Sequence, residues 1–391
     1  MRYLSAGESH GPCLTAIIEG LPAGLELSAA LINKHLKRRQ QGYGRGGRMA
    51  IESDRVEILS GLRHNRAIGS PLTLQIQNRD WENWQEIMAP EGEPPADNRA
   101  VTRPRPGHAD LAGGLKYDHH DLRLVLERSS ARETAIRVAV GSVARIFLEH
   151  FKILIYSRVI AIGGVEAFYG DDDPARYKET VEVSPLRCAD PEAEKKMLEA
   201  IEKAKEKGDT LGGVFEVSVT GLPPGLGSHV QPDRRLDGRL CGALASIQAI
   251  KGVEVGAGFN AAALPGSAVH DALALEKDMG IYRSTNRAGG LEGGITNGEK
   301  LILRAAMKPI PTLARALDSV DLAARANAPG AFERSDVCAV PAAAVVAEAA
   351  VAWELAVAFR EKFGGDFMEE IEASFRFYTG RIKSRLLQEG D

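Results

Sequence analysis

The sequence predicts an α+β fold in which residues 1–391 form a single domain built from two similar βα halves. Runs rich in β-branched residues, such as VFEVSVT at 214–220, alternate with a few apolar helices. The segments TAIIEGLPAGL and VSVTGLPPGL resemble each other, and each precedes a predicted helix. The alternation predicts the fold class, and the repeated segment predicts the two halves.

Helical signals are strongest in two segments. Ser130 and Glu133 form an S-x-x-E capping box before apolar residues at helical spacing, which predicts a helix over 131–149. Residues 341–360 are rich in Ala and Val and begin with Pro341, which predicts a core helix or a subunit contact. Further helices are predicted over 29–41, 190–208 and 238–250, with a charged helix end after 366. Strands are predicted within 1–11, 14–27, 49–87, 152–168 and 212–227, and the stretch that begins at 103 is predicted to open with a loop carrying Arg103, Arg105 and His108.

Composition excludes several classes of protein. Hydrophobic residues make up 44% and charged residues 26%, which is typical of a globular chain. A net charge of −4 gives no reason to expect a nucleic acid or membrane partner. The 4 cysteines lie far apart without a C-x-x-C pair, so reduced thiols are expected. No apolar run is expected to span a membrane, and Glu8 and His10 interrupt any signal segment, so we expect a soluble, cytoplasmic protein.

Two glycine-rich loops indicate anion binding. Residues 34–48 hold 6 Lys or Arg and no acid, and Arg45 and Arg48 alternate with glycines as in a loop that folds over an anion. The GYGRGG within it follows a helix and precedes a strand, the reverse of the dinucleotide-binding order. Residues 280–298 contain 6 glycines and 2 arginines, so they too predict a binding loop.

The remaining polar residues suggest chemistry on a phosphorylated small molecule. The start of the helix at 131 offers free backbone N–H groups beside a cluster of polar side chains, which predicts a phosphate site. That cluster is Arg128, Ser129, Ser130 and Arg132. His10 and His108 lie in glycine-containing loops and can act as acids near neutral pH. Without an H-E-x-x-H motif or a Cys/His cluster, no metal site is predicted.

Nine blocks, in order along nearly the whole chain, resemble the signature blocks of chorismate synthases. They are GESHG (7–11), RRQQGYGRGGRM (38–49), RPGHADL (105–111), ERSSARETA (127–135), GLGSHV (225–230), AIKGVEVGAGF (249–259), NRAGGLEGGITNG (286–298), AMKPIPT (306–312) and ERSD (333–336). Their number and order make the resemblance far more specific than any single motif.

The resemblance implies conversion of 5-enolpyruvylshikimate 3-phosphate to chorismate and phosphate. This 1,4-anti elimination needs reduced FMN (FMNH2) but no net redox change. It also implies a layered β-α-β sandwich, with core helices between antiparallel sheets, and a homotetramer. The source of the reduced flavin stays open: a separate flavin reductase is favoured, and NADPH as a direct external reductant is the alternative.

The resemblance also assigns roles to residues. His10 would protonate the departing phosphate, His108 would lie near flavin N1 and the C2 carbonyl, and Asp336 would assist proton removal by way of flavin N5. The substrate's phosphate and carboxylates would be held by Arg48, Arg105, Arg132 and Arg334. FMN would be held by Arg128, Ser129, Ser130, Gln248, Ala249, Gly293, Lys308, Pro309, Ile310, Pro311, Thr312 and Arg334. Arg39 and Arg45 match positions associated with NADPH, with the substrate as the alternative ligand.

Two other functions compete with this interpretation. An RNA- or polyanion-binding protein could use the RGG-like loop, but aromatic residues are only 6% and none alternate with the arginines as stacking platforms. A flavin-independent phosphate lyase is the second rival, and it would turn over fully without a reductant.

Overall fold

Strands and helices alternate along the chain, and a computed structural model describes them for residues 1–45, 53–169, 173–276, 280–333 and 336–386. The strands are β1 (Arg2–Ala6), β2 (Cys13–Glu19), β3 (Val56–Ser60), β4 (Leu62–Arg63), β5 (Arg66–Ala67), β6 (Leu72–Gln77), β7 (Leu154–Ile162), β8 (Val165–Glu166), β9 (Gly213–Thr220), β10 (Ile250–Val255), β11 (Leu273–Glu276), β12 (Gly280–Arg283), β13 (Leu291–Glu292), β14 (Ile295–Thr296), β15 (Leu301–Met307), β16 (Asp318–Asp321) and β17 (Ala326–Pro329). The helices are α1 (Ala29–Gln40), α2 (Asp110–Tyr117), α3 (Arg123–Ser129), α4 (Thr134–His150), α5 (Pro174–Val183), α6 (Pro191–Glu206), α7 (Leu236–Ala245), α8 (Gly266–Val269), α9 (Val340–Phe363) and α10 (Met368–Leu386). This mixture of sheets and helices confirms the α+β class.

Two antiparallel sheets hold the longer strands. Sheet 1 has the order β1-β2-β6-β3, and sheet 2 has the order β10-β15-β9-β7-β8. Alternate side chains of β2, such as Leu14 and Ile18, are fully buried, because successive residues of a strand point to opposite faces. On the other face of sheet 1, Leu4 and Ile17 pair across the strands and are exposed.

The two long helices α4 and α9 pack against each other in the core. Helix α4 also contacts β1, β2 and β6 of sheet 1, and α9 contacts β7 and β9 of sheet 2. Helix α9 has the length and hydropathy of a membrane span, contrary to our sequence-based expectation, but 83% of its most apolar window is buried within the protein. A helix that is apolar on all sides is stable in a protein core, where other elements cover it. The predicted central core helix is therefore confirmed.

The repeated G-L-P-x-G-L segments form matching turns. Gly20 and Gly221 follow the last residues of β2 and β9, with φ of 85° and 81°. Gly24 and Gly225 occupy the fourth position after them, again with positive φ, 85° and 97°. Glycine adopts this left-handed region without a steric penalty, so the sequence similarity corresponds to a shared backbone conformation in the two segments.

Several element predictions were wrong at their boundaries. Helix α4 begins at Thr134, after a 3₁₀ turn over Ala131–Glu133 that Ser130 caps by accepting from the Arg132 backbone N–H. Helix α7 spans Leu236–Ala245 instead of 238–250, and Ala249, within the predicted range, has φ 67°, which a right-handed helix does not contain. The tail forms a helix of its own, α10, and α5 was not predicted.

Two helices that were not predicted, α2 and α3, follow the predicted loop that carries Arg103, Arg105 and His108. Two consecutive glycines, Gly113 and Gly114, lie inside α2. A Cβ on Gly113 would overlap the side chain of Val125 in α3, and one on Gly114 would crowd Leu122. Here glycine permits close helix packing instead of a turn, which local sequence signals do not distinguish.

A buried carboxylate in α9 joins this helix to α1 and α4. Glu348 of α9 is 1% exposed and accepts hydrogen bonds from Arg38, Arg145, Arg187 and Ser157, at 2.6 Å from Arg38 Nη1 and from Ser157 Oγ. Burial alone would raise the pKa of Glu348, but Arg38 and Arg145 outweigh it and hold the pKa well below its usual value. The carboxylate is therefore ionised at neutral pH.

We predict that Gly141→Ala destabilises the protein by about 1–3 kcal/mol, because a Cβ at this position of α4 would overlap Ala349 in α9. Thermal or denaturant unfolding measures the change. Gly242→Ala in α7 is the matched control, since a Cβ there meets nothing within 4 Å. The control should keep or slightly raise stability; equal losses in both variants would contradict the close α4–α9 packing.

Glu348→Gln should cost about 3–5 kcal/mol at pH 7, because it removes the buried charge shared by three arginines, which keep only the more exposed Glu182 and Glu149 as ion-pair partners. The pKa of Glu348 is lower in the folded state, so its contribution is complete above the ordinary carboxyl value of about 4.3 and is lost as pH falls below it. The difference in unfolding free energy between the two proteins should therefore shrink in acid. A difference independent of pH would contradict the assignment.

Candidate active site

A cavity of about 650 Å³ lies where the starts of α4 and α9 meet loops that follow strands of both sheets. Small-molecule sites commonly have volumes of about 300–1,000 Å³. The described lining residues include two carboxylates, Glu333 and Asp336. They also include six cationic side chains: Arg39, Arg45, Arg105, Arg132, Lys251 and Lys308. The excess of positive charge makes the cavity suited to a multiply charged anion.

His10 lies in the loop after β1 and lines the cavity, with only 6% of its surface exposed. Its ring Nδ1 is 2.7 Å from Glu127 Oε1, and its backbone N–H donates to Glu127 Oε2 at 2.8 Å. The ring stacks on Trp84 with centroids 4.0 Å apart. Burial would raise the pKa of Glu127, but the hydrogen bonds from His10 and the charge of Arg123 lower it. Glu127 is therefore an ionised acceptor.

His108 lies just before α2 and lines the same cavity as His10. Its Nδ1 is 2.5 Å from Asp110 Oδ1, and Arg105 donates to the two Asp110 oxygens at 2.8 and 2.9 Å. Asp110 is fully buried, which would raise its pKa, but His108 and Arg105 hold the pKa well below the usual range. Arg105 also donates to Thr312 Oγ1 at 3.2 Å, so this group is joined to the 308–312 segment.

Asp54 holds two arginines at the floor of the cavity. Arg39 Nη1 lies 3.1 Å from one Asp54 oxygen, and Arg132 Nη1 forms a short ion pair with the other. Arg39 also donates to Thr134 Oγ1 at 2.9 Å, and Arg132 to Asn78 Oδ1 at 2.9 Å. Burial, with Arg45 and Arg132 nearby, lowers the pKa of Arg39 to about 10 although Asp54 opposes it. The Arg39 guanidinium therefore remains charged at neutral pH.

Asp336, the third predicted catalytic residue, precedes α9 and lines the same cavity. Arg45 Nη1 lies 3.1 Å from its Oδ2. Lys308, which also lines the cavity, donates from Nζ to Gly107 O at 2.7 Å, and burial together with Lys251 lowers the pKa of Lys308. Three residues that are far apart in the sequence, His10, His108 and Asp336, therefore share one cavity.

The structure brings most of the predicted ligand-binding residues to this cavity. The lining includes Arg39, Arg45, Arg105, Arg132, Ser129, Ser130, Gln248, Ala249, Lys308, Ile310, Pro311 and Thr312. Arg128, Gly293 and Pro309 do not line it: Arg128 donates to the backbone oxygens of Ser5 and Gly7, and Gly293 lies in the turn between β13 and β14. Arg48 and Arg334 lie outside the described residues.

The predicted binding loop over 280–298 does not line the cavity either. It forms β12, β13 and β14, and Arg283 pairs with Glu292 at 2.7 Å. Its glycines permit positive φ and close backbone contact: a Cβ on Gly289 would overlap the backbone of Gly256. In this segment the glycine content reflects packing of turns against β10 and β15.

The cavity has features that fit a flat heterocycle with a phosphate tail. The buried Oε1 of Gln248 has no hydrogen-bond partner within the described part of the chain, so it can accept from a ligand N–H. Ile247, Met307 and Val346 supply apolar surface, and Ser130 and Lys308 supply donors. A buried acceptor, apolar walls and cationic donors together are what a flavin phosphate requires.

The carboxylate partners were not identified from the sequence. Glu127, Asp110 and Asp54 are nearly or fully buried and contact His10, His108 and the floor arginines. Asp110 is only two residues from His108 in the sequence, so its contact with the histidine could have been predicted from that spacing. Glu127 is separated from His10 by 117 positions, and no local pattern indicates their contact.

Comparisons with known proteins agree with this geometry. The sequence matches the family model described as chorismate synthase over residues 1–359. A chorismate synthase of Moorella thermoacetica is 62% identical over 385 residues, covering 98% of this chain and 100% of that protein. One of Desulforamulus reducens is 60% identical, covering 95% and 97%. A crystal structure of a chorismate synthase aligns with a TM-score of 0.79 and 46% identity over 98% of both chains. Family match, near-complete relatives and fold together show that the chain belongs to the chorismate synthase family.

Proposed function

We propose that this protein converts 5-enolpyruvylshikimate 3-phosphate to chorismate and phosphate by a 1,4-anti elimination. The observation that carries the proposal is that His10, His108 and Asp336 line one cavity together with Arg39, Arg45, Arg105 and Arg132. The substrate has a phosphate and two carboxylates, and cationic side chains stabilise such charges most strongly in a partly enclosed site. Family membership supports the same reaction.

The cofactor we propose is reduced FMN, held by the Gln248–Ala249 turn, Ser129, Ser130 and the segment 308–312. Arg128, Gly293 and Arg334 remain part of the proposed FMN set by family resemblance. When bound, the reduced flavin supplies transient electron density to the allylic system, which the protein's own side chains do not supply. The orphan Gln248 Oε1 and the Lys308 ammonium fit its polar edges.

The chain's own residues would manage protons and charge. His10 donates a proton to the departing phosphate, and Asp336, fixed by Arg45, assists removal of the proton from C6. His108, held by Asp110 and Arg105, presents a fixed polar edge to the cofactor. Arg105 and Arg132 are anchored by carboxylates, so their positions are set before the substrate arrives.

The source of the reduced flavin, the domain architecture and the oligomeric state are also part of the proposal. We favour a separate flavin reductase over NADPH, because Arg39 and Arg45 are engaged with carboxylates at the substrate cavity. One catalytic domain over residues 1–391, arranged as a layered sandwich of two halves, agrees with the contacts of α4 with sheet 1 and of α9 with sheet 2. A cytoplasmic homotetramer is proposed from the family, and the exposed Leu4–Ile17 pair suits a subunit contact.

The proposed reaction is tested by anaerobic turnover of the purified chain with substrate. Phosphate and chorismate should appear in equal amounts with reduced FMN present and neither should appear without it. Full turnover without reductant would favour a flavin-independent lyase. Tight RNA binding without any flavin response would favour a polyanion-binding protein. NADPH supplied alone with FMN distinguishes direct reduction from the need for a reductase.

We predict that His10→Ala lowers kcat by roughly 10²- to 10⁴-fold, the usual contribution of a general acid. FMN affinity, measured by fluorescence titration, should stay nearly unchanged, because the flavin is held by other segments. His270→Ala is the control, since His270 is exposed and does not line the cavity. A large loss of flavin binding in the His10 variant would contradict the role assigned to it.

Asp336→Asn should slow cleavage of the C6–H bond, because the amide cannot accept a proton as the carboxylate does. The measurement compares kcat for substrate with hydrogen and with deuterium at C6. The variant should be slower and show a larger isotope effect. A normal rate with an unaltered isotope effect would refute the assignment.

A further inference from the structure

We propose that Glu127 is a positioning residue for His10, which fixes the ring so that Nε2 is the nitrogen that delivers the proton. This inference deepens the proposed function and rests on it. Glu127 itself does not line the cavity among the described residues, so its effect would be exerted through His10.

Both oxygens of Glu127 are directed at one residue. Oε1 lies 2.7 Å from the ring Nδ1 of His10, and Oε2 accepts the His10 backbone N–H at 2.8 Å. The two side chains are 8% and 1% exposed. Two hydrogen bonds to the same residue restrict both the backbone and the side-chain rotation, which a single contact would not.

The surroundings keep Glu127 ionised and the ring in place. Arg123 Nη1 lies 3.5 Å from Glu127 Oε1, and the same guanidinium is 4.9 Å from the Trp84 ring. Trp84 stacks on the imidazole of His10, and Arg99 lies 4.5 Å from the same indole. An ionised carboxylate can only accept, so the hydrogen between Glu127 and His10 belongs to Nδ1.

The consequence is a fixed choice of nitrogen. With Nδ1–H engaged by Glu127, Nε2 is the remaining ring nitrogen, and it makes no hydrogen bond to any residue that the structure describes. When the C–O bond to phosphate breaks, the electron pair leaves with the phosphate oxygen, which takes the proton from Nε2. The ring is left neutral with its hydrogen on Nδ1, and a proton from water restores it, in balance with the proton lost from C6.

Glu127→Gln tests the pairing with little change in shape. Whichever way the amide turns, one acceptor becomes an NH₂ donor. Facing the backbone N–H it loses that hydrogen bond, and facing the ring it can pair only with an Nδ1 that carries no hydrogen, which is the opposite tautomer. We expect kcat to fall roughly 10- to 100-fold while FMN affinity stays unchanged. Adding the same substitution to His10→Ala should cause no further loss, because residues that act as a unit are non-additive.

The matched control is Glu216→Gln. Glu216 is 4% exposed and pairs with Arg158 and Arg304 in sheet 2, outside the cavity. The Glu216→Gln variant should have a lower melting temperature but an unchanged kcat per FMN-binding site. Rates expressed per such site exclude misfolded protein, and Glu127→Asp, whose shorter carboxylate loses reach, replaces the Gln variant if that does not fold.

The outcomes separate the two claims. A wild-type kcat in the Glu127 variant, or a further loss of equal size in the His10→Ala background, would overturn the positioning role. Absence of phosphate release from the unaltered chain with reduced FMN would instead overturn the proposed function, and with it this inference.

Discussion

The ion pairs between Asp54 and two arginines are the constraint on which the cavity depends. Arg39 comes from α1 and Arg132 from the turn before α4, and both guanidiniums are nearly buried. Two buried cations so close would repel each other, and the shared carboxylate offsets this repulsion. Two further arginines that line the cavity are also held by carboxylates: Arg105 pairs with Asp110, and Arg45 pairs with Asp336. The site therefore carries its donors in fixed positions before any anion binds.

The last turn of α1 contributes residues to both the core and the cavity. Arg38 and Arg39 are consecutive residues of α1, and they point to different partners: Arg38 binds Glu348 in the core, and Arg39 binds Asp54 at the cavity. Because Glu348 also binds Arg145 of α4, the helices whose ends border the cavity are joined by one buried charge network. Stability and site geometry are consequently coupled through α1, α4 and α9.

The sequence predicted the fold class, the core helix and the loops that carry the histidines, since these depend on hydrophobic period and glycine content. It did not predict α2 and α3. Gly113 and Gly114 of α2 serve close helix packing, a use of glycine that local sequence signals do not distinguish from a turn. The binding loop over 280–298 was predicted from glycine content, and that segment does not line the cavity. The partners of the site were beyond reach: a contact such as His10 with Glu127 spans 117 positions and follows from the tertiary fold alone.

The central claim is that one cavity holds reduced FMN against a trianionic substrate. Its most direct test is a titration of the protein–FMN complex with 5-enolpyruvylshikimate 3-phosphate, followed by flavin absorbance. We predict a saturable spectral change that ends at one substrate per chain and weakens as salt screens the arginines. A flavin spectrum that does not respond to the substrate at any concentration would contradict the account.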